Sequence, residues 1–207
     1  MCAYKTIANS NNLVYSRTMT KAIKLGDVAT IQSGYSFRGA VVDDESGVAV
    51  VQARDVNSLY LIEDGLPKSD QDFPEAKMLR KGDVLLTSRG SFRASMVQFT
   101  NPAVATSSLF TLRLTDADIL PEFLAIYLNS AQVQSYLIQK AKGATIQSLA
   151  ISDLANLTIP PIPVQRQKTL LGLQQAVENQ GKLLKSKLEV VNDIYVSAVN
   201  KSLKGAI

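Results

Sequence analysis

The sequence predicts a mixed α+β fold, with a compact, strand-rich body over residues 1–163 and a long C-terminal α-helix over residues 164–207. Three observations point there. Short apolar runs separated by Gly, Ser and Asp turns fill residues 24–115, one stretch of helical period follows, and beyond Pro160, Pro161 and Pro163 the helical period returns and continues almost to the end.

Each element has a local reason. "KLGDVATIQSGYSF" reads as a short helical turn or strand entering a Ser-Gly turn, and "GVAVVQARDV" as a buried strand ending in polar residues. "KMLRKGDVLLTSRGSFRASMVQFT" predicts a hairpin: Lys81-Gly82-Asp83 turns into a strand over Val84 to Thr87, and Ser88-Arg89-Gly90 turns before a strand over Met96 to Phe99. "ATSSLFTLRLT" adds an alternating strand. In "DILPEFLAIYLNSAQVQSYLIQKAKG" the period becomes helical, with Pro121 near a first turn, Phe123, Leu124, Tyr127 and Leu128 on one side, and Gly143 past the end. Residues 1–20 are set apart as an N-terminal extension. No internal repeat or low-complexity tract is visible.

Composition narrows the function. A chain of 207 residues with 46% hydrophobic content can bury a real core. No apolar run approaches the ~20 residues that cross a bilayer, and the first residues lack the apolar stretch of a signal peptide, so a cytoplasmic protein with no membrane partner is expected. The one cysteine, Cys2, has no internal disulfide partner, which fits a reducing compartment. With that single Cys and no His, a zinc site, a Ser-His-Asp or Cys-His nucleophile and a His general base are excluded. No metal, cofactor or catalytic residue is assigned.

The net charge of +4 is unevenly placed. Residues 1–163 carry 15 charges of each sign, whereas residues 164–207 carry seven basic and three acidic side chains. Within the body, residues 43–75 hold nine acids against Arg54 and Lys68, and residues 76–113 hold Lys77, Arg80, Lys81, Arg89, Arg93 and Arg113 against Asp83. Such runs form either solvated loops or a phosphate-binding face, and charge alone leaves both open.

The C-terminal segment has an imperfect heptad seam. Leu170, Val177, Leu184, Val191 and Ala198 recur every seven residues, and Leu173, Leu188, Ile194 and Tyr195 widen the stripe, with interruptions at Gln180, Gly181 and Lys187. A continuous helix from Val164 to Lys204 would reach roughly 60 Å, longer than the body can cover, so its apolar face needs a partner. The alternative is two shorter helices folded back at Gly181.

The order "KLGDVATIQSGYSF", "KGDVLLTSRGSF", "GATIQSLAISDLANLTIPPIPVQRQKTLL" and a long amphipathic helix, spanning nearly the whole chain from Lys24, resembles one half of the DNA-specificity subunit of type I restriction-modification systems. Members of that family usually carry two target-recognition domains, each followed by a long helix, with the two helices antiparallel as a spacer. One recognition domain and one helix here imply a half-subunit. The resemblance then implies a homodimer joined as an antiparallel coiled coil through Leu170, Leu173, Val177, Leu184, Leu188, Val191, Ile194 and Tyr195. It also implies double-stranded DNA as ligand, and modification (methyltransferase) and restriction subunits as partners that supply the catalysis. Where the family typically has Glu-Gln after the proline run, this chain has Val164-Gln165.

For such a role, bases are read by forked or two-ended side chains and phosphates by Ser, Thr and Lys. The loop-like positions that qualify are Tyr35, Ser36 and Arg38; Gln52 and Arg54; Arg89 and Arg93; and Lys140, Lys142 and Gln147. Competing local roles stand beside them: an Arg54–Asp55 ion pair, a turn held by Arg89, and compensation of a helix end by Lys140 and Lys142. Two other functions remain open. Glu75-Ala76-Lys77, with Asp55, Asp64 or Asp72 upstream, has the spacing of half a metal-dependent nuclease motif, and a helix-mediated scaffold without DNA affinity needs no loop chemistry at all. A methyltransferase is disfavoured, since neither an Asn-Pro-Pro-aromatic tetrapeptide nor a glycine-rich cofactor loop occurs.

Overall fold

A computed structural model describes residues 21–39, 44, 46–143 and 145–204, and the expected N-terminal extension over residues 1–20, with Cys2, lies outside them. The chain enters through β1 (Ile23–Lys24), α1 (Leu25–Val28) and β2 (Ala29–Ser33), so the first motif is both a helical turn and a strand. There follow β3 (Val48–Val51), β4 (Lys68–Ser69), β5 (Val84–Thr87), β6 (Ala94–Met96), β7 (Ala103–Ala105) and β8 (Leu109–Leu114). Helices α2 (Pro121–Leu128), α3 (Ala131–Lys140) and α4 (Ile151–Ala155), then β9 (Thr158–Ile159), lead to α5 (Val164–Lys204).

The strands form a four-stranded antiparallel sheet in the order β2-β8-β5-β6, a three-stranded sheet β4-β3-β7 in which β3 and β7 run parallel, and the small pair β1-β9. β5 and β8 carry the core on both faces. Val84, Leu86, Phe110 and Leu112 belong to one buried cluster, shared with α2 and α3, while Leu85 and Leu109 belong to the other, shared with β3 and β7. Residues that alternate in sequence thus divide between two cores, and "LFTL" is buried throughout where an alternating strand was expected.

The helical stretch after Pro121 is broken at Asn129 and Ser130. Asn129 turns its side-chain amide on the backbone of Ala94, accepting its N–H at 2.9 Å and donating to its carbonyl at 2.8 Å, and so extends the pairing of β6 as a strand would. Those two bonds stop one helix and restart another.

Entry and exit of the body lie side by side. Ile23 pairs with Ile159, Lys24 pairs with Thr158, and the N–H of Leu25 donates to the carbonyl of Leu157 at 2.8 Å. The prolines then bring the chain out, and Gln167 locks the first turn of α5 to the body. Its buried side-chain oxygen accepts from the N–H of Leu120 at 2.9 Å, and its NH2 donates to the carbonyls of Asp118 and Ile162 at 2.7 and 2.8 Å.

From there α5 runs unbroken for 41 residues through Gly181, so the folded-back pair of shorter helices is not what forms. Leu170 packs against the core as a partly buried residue, and every side chain from Asn179 to Leu203 is exposed. Among the described residues no helix is long and apolar enough to cross a membrane.

Candidate nucleic-acid interface

The first part of the site is an open groove of about 590 Å³ where Tyr35, Phe37, Gln52, Arg54 and Thr106 to Ser108 meet. It exists because the loop after β2 lies directly on the turn between β7 and β8. The N–H of Gly34 donates to the carbonyl of Leu109 at 2.9 Å, and that of Tyr35 to Ala105 at 2.6 Å. A Cβ on Gly34 would overlap the carbonyl oxygens of Ala105 and Thr106, so the approach requires glycine. Beyond it, Tyr35, Phe37 and Phe73 make a half-buried aromatic wall, with ring centroids 5.0 Å apart for Tyr35–Phe37 and Tyr35–Phe73 and 5.7 Å for Phe37–Phe73.

Across the groove, Ala53–Asp55 form a 3-10 turn. Asp55 accepts the N–H of Gln52 at 2.8 Å and returns its own N–H to the carbonyl of Gln52 at 3.0 Å. The Arg54 guanidinium approaches Asp55 only at 3.8 Å and its side chain stays 71% exposed. The turn therefore uses Asp55 for its own closure and leaves Arg54 available.

The second part adjoins the first through Ser108, whose carbonyl accepts the N–H of Ser88 at 2.8 Å. The 88–91 turn is closed by the buried Thr87 hydroxyl, which donates to the carbonyl of Ser91 at 2.5 Å and accepts the N–H of Arg93 at 2.8 Å. A loop held shut by reciprocal bonds between Lys142 and Ser148, at 2.9 and 2.8 Å, lies against it. The N–H of Gly90 donates to Gln147 at 2.9 Å and that of Leu149 to Ser88 at 3.0 Å. Gly143 supplies the φ of +128° that this loop needs, in a position where a Cβ would strike the carbonyl of Ile146. Arg89, Lys142 and Gln147 are thereby brought together and exposed, and neither basic side chain forms an ion pair with a described residue.

Ser36 and Arg38 are exposed on the loop past Tyr35, beside the same groove. Two other predicted positions lie elsewhere. Arg93 lines a separate groove of about 460 Å³ between the body and α5, with Asn57, Ser58, Asn129, Gln174 and Glu178. Near it the Tyr60 hydroxyl is held above its ordinary pKa by burial and then by the negative charges of Glu122 and Glu178. Lys140 ends α3 with its ammonium 5.7 Å above the ring of Tyr136.

Two basic residues of the 76–113 stretch serve the fold. Arg113 is held by Asp83, and the Lys77 ammonium donates to the carbonyl of Ser33 at 2.7 Å. The Glu75-Ala76-Lys77 triplet is a 3-10 turn tied down further by the Gln32 amide on the carbonyl of Ala76 at 2.7 Å. No three His, Cys, Asp or Glu side chains cluster for a metal among the described residues.

Sequence reasoning did not single out Phe73, the Thr106–Ser108 turn or Gln167. The only trace of the turn in the sequence is its run of hydroxyl residues, of which Thr106 and Ser108 lie within hydrogen-bonding distance at 2.9 Å.

Polar loops converging at the end of a rigid two-sheet body, on a projecting helix, define a recognition module on a stem. The family described as the type I restriction modification DNA specificity domain matches residues 19–193, and the chain belongs to it. By that description the chain is a specificity domain.

The type I restriction enzyme EcoBI specificity subunit of Escherichia coli is 24% identical over 177 residues, which cover 80% of this chain and 36% of that protein. The fold is also similar to that of the HsdS subunit from Thermoanaerobacter tengcongensis, with a TM-score of 0.59 and 19% identity over 84% of this chain and 40% of that one. For the type I restriction-modification S subunit from M. genitalium the TM-score is 0.54 and the identity 18%, over 84% of this chain and 44% of that one. The chain thus spans about two fifths of the length of these relatives.

Proposed function

We propose that this chain reads DNA sequence for a type I restriction-modification assembly in the cytoplasm, as a half-sized specificity subunit. Two copies pair through α5 as an antiparallel coiled coil, place their bodies at opposite ends, and direct modification and restriction subunits to a split palindrome. The reading rests on family membership and on one observation above all: a shared groove and backbone hydrogen bonds bring the Tyr35, Gln52–Arg54, Ser88–Gly90 and Lys142–Ser148 segments to one surface on which Arg54, Arg89, Lys142 and Gln147 are exposed. Arginine there has the forked donors, and glutamine the paired donor and acceptor, that base edges require, and lysine the point charge suited to phosphate. The exposed apolar stripe on α5 supports the dimer, and the two-fold symmetry that pairing of identical chains imposes makes the DNA target a split palindrome.

Selection from a random double-stranded library, with the mass of the protein measured by light scattering, tests both halves. The expected result is a dimer that recovers two inverted half-sites around a gap of constant length. A monomer, or recovery of one uninterrupted site, contradicts it.

A further inference from the structure

The exposed side chains of α5 contain their own register. Leu173, Val177, Leu184, Leu188, Val191 and Tyr195 are each at least 60% exposed. With Gln180 at the one step that is not apolar, the intervals along this stripe read 4, 3, 4 and then 4, 3, 4, the same in either direction from Leu184. An 11-residue repeat of this kind averages about 3.67 residues per turn and stays on one face of a nearly straight helix. A stripe with palindromic spacing matches its own reversed copy step for step when Leu184 faces Leu184. Val177 then meets Val191 and Leu173 meets Tyr195.

A second set lies off that seam. Val196, Val199 and Leu203 are 53%, 37% and 58% exposed. At 3.6 residues per turn Val196 follows Glu178 by about five turns, and Leu203 follows Gln167 by about ten. They lie on the side of α5 that holds the chain's own body earlier along the helix, where Gln167 is buried and Glu178 lines the groove beside α2. A two-fold axis normal to the plane of an antiparallel pair keeps that side common to both copies. With the axis at Leu184, residues 196–203 of one copy run beside residues 165–172 of the other, next to its α2 and the partly exposed Glu122 and Ile126.

We propose that a second copy seats with the two-fold axis at Leu184 and that Val196, Val199 and Leu203 clasp its body, an inference that rests on the dimeric reading above. The register agrees with the task. Counting from Leu184 at 1.5 Å per residue, the two copies of Gln174 are roughly 30 Å apart along the axis and those of Leu170 roughly 40 Å. This brackets the 34–36 Å of one DNA turn, so both bodies address the same face of the duplex.

The test uses the full chain with Cys2→Ser, which leaves no cysteine. Under a mild oxidant Leu184→Cys should give a covalent dimer. Val177→Cys alone should not, whereas Val177→Cys mixed with Val191→Cys should. Val199→Asp with Leu203→Asp should weaken dimerisation roughly tenfold or more without moving the 184–184 crosslink. A chain that is monomeric before any substitution overturns the dimeric reading. A dimer whose 184 cysteines do not join, or whose affinity is indifferent to the paired Asp substitutions, overturns the register and clasp and leaves the dimeric reading intact.

Discussion

Asp83, in the turn before β5, and Arg113, on β8, form a two-point charged pair, with Nε to Oδ1 at 2.8 Å and Nη2 to Oδ2 at 2.7 Å. The carboxylate is 2% exposed and also accepts the N–H of Arg80 at 2.8 Å, while the guanidinium reaches the carbonyl of Met78 at 3.0 Å. Hydrogen bonding to Asp83 raises the Arg113 pKa above its ordinary value, with burial opposing. Asp83→Ala removes the acceptor of a part-buried backbone donor and of a partly buried cation together, so it should cost about 3 kcal/mol, measured as a lower urea midpoint at unchanged slope. A loss below about 0.5 kcal/mol would show that the pair is an ornament of the turn.

Gly34 sets where the loop after β2 lies. Adding one methyl group at Gly34→Ala drives it into the carbonyls of Ala105 and Thr106, two backbone atoms that cannot swing aside. The loop must lift, taking Tyr35 and the aromatic wall with it, while the two cores are untouched. DNA affinity should fall roughly tenfold or more, a change of about 1.4 kcal/mol, with the far-ultraviolet circular dichroism retained. Retained affinity in a titration would mean that this loop does not touch DNA.

The elements that sequence made legible are those set by local chemistry. The strand Val84–Thr87 follows from an apolar run after a Lys-Gly-Asp turn, and α5 from periodicity beyond a proline clamp. What escaped depended on partners distant in sequence. Nothing local to Asn129 announces that it pairs with Ala94, 35 residues away, and so the split between α2 and α3 was invisible. Gln167 reads as one more polar residue of an amphipathic helix until Asp118 and Leu120 are brought beside it. In the candidate site, Arg54, Arg89 and Gln147 could be picked out by type, because their side chains have the chemistry that base edges accept. Their adjacency could not, since it is made by the bonds of Ser88 to Ser108 and Gly90 to Gln147. Arg93, three residues past Gly90, lies in the groove facing α5 because the Thr87 hydroxyl folds the turn back beneath it.

Arg89 and Lys142 sit on loops paired through Ser148, yet they should fail differently when removed. Arg89→Ala takes away a forked donor, and should cost roughly 1 to 3 kcal/mol in each half-site for the selected sequence and relax the base preference there. Lys142→Ala removes a point charge, weakens every sequence alike and lowers the slope of log affinity against log salt by about one per site. Competition binding at several salt concentrations separates the two. Identical profiles for both variants would assign Arg89 to phosphate.

The last expectation ties the helix to the DNA. In an antiparallel pair whose bodies are fixed near Gln167 of each copy, the distance between bodies is set by the residues from that anchor to the two-fold axis, counted once in each chain. Deleting Lys182 to Leu188 from the exposed part of α5 removes seven residues, close to two turns, so Val177 still meets Val191 and Leu173 still meets Tyr195, while the axis moves from Leu184 to between Gln180 and Gly181, half the deleted length nearer the anchor in each chain. The pair shortens by roughly 10 Å. On straight DNA at about 3.4 Å per step this is three base pairs fewer between half-sites, with the half-site sequences themselves unchanged because no loop of the body is touched. Library selection with the shortened dimer reads this directly. Recovery of the parental gap would mean that the spacing is set by something other than α5, and loss of the half-sites would mean that the helix does more than hold the readers apart.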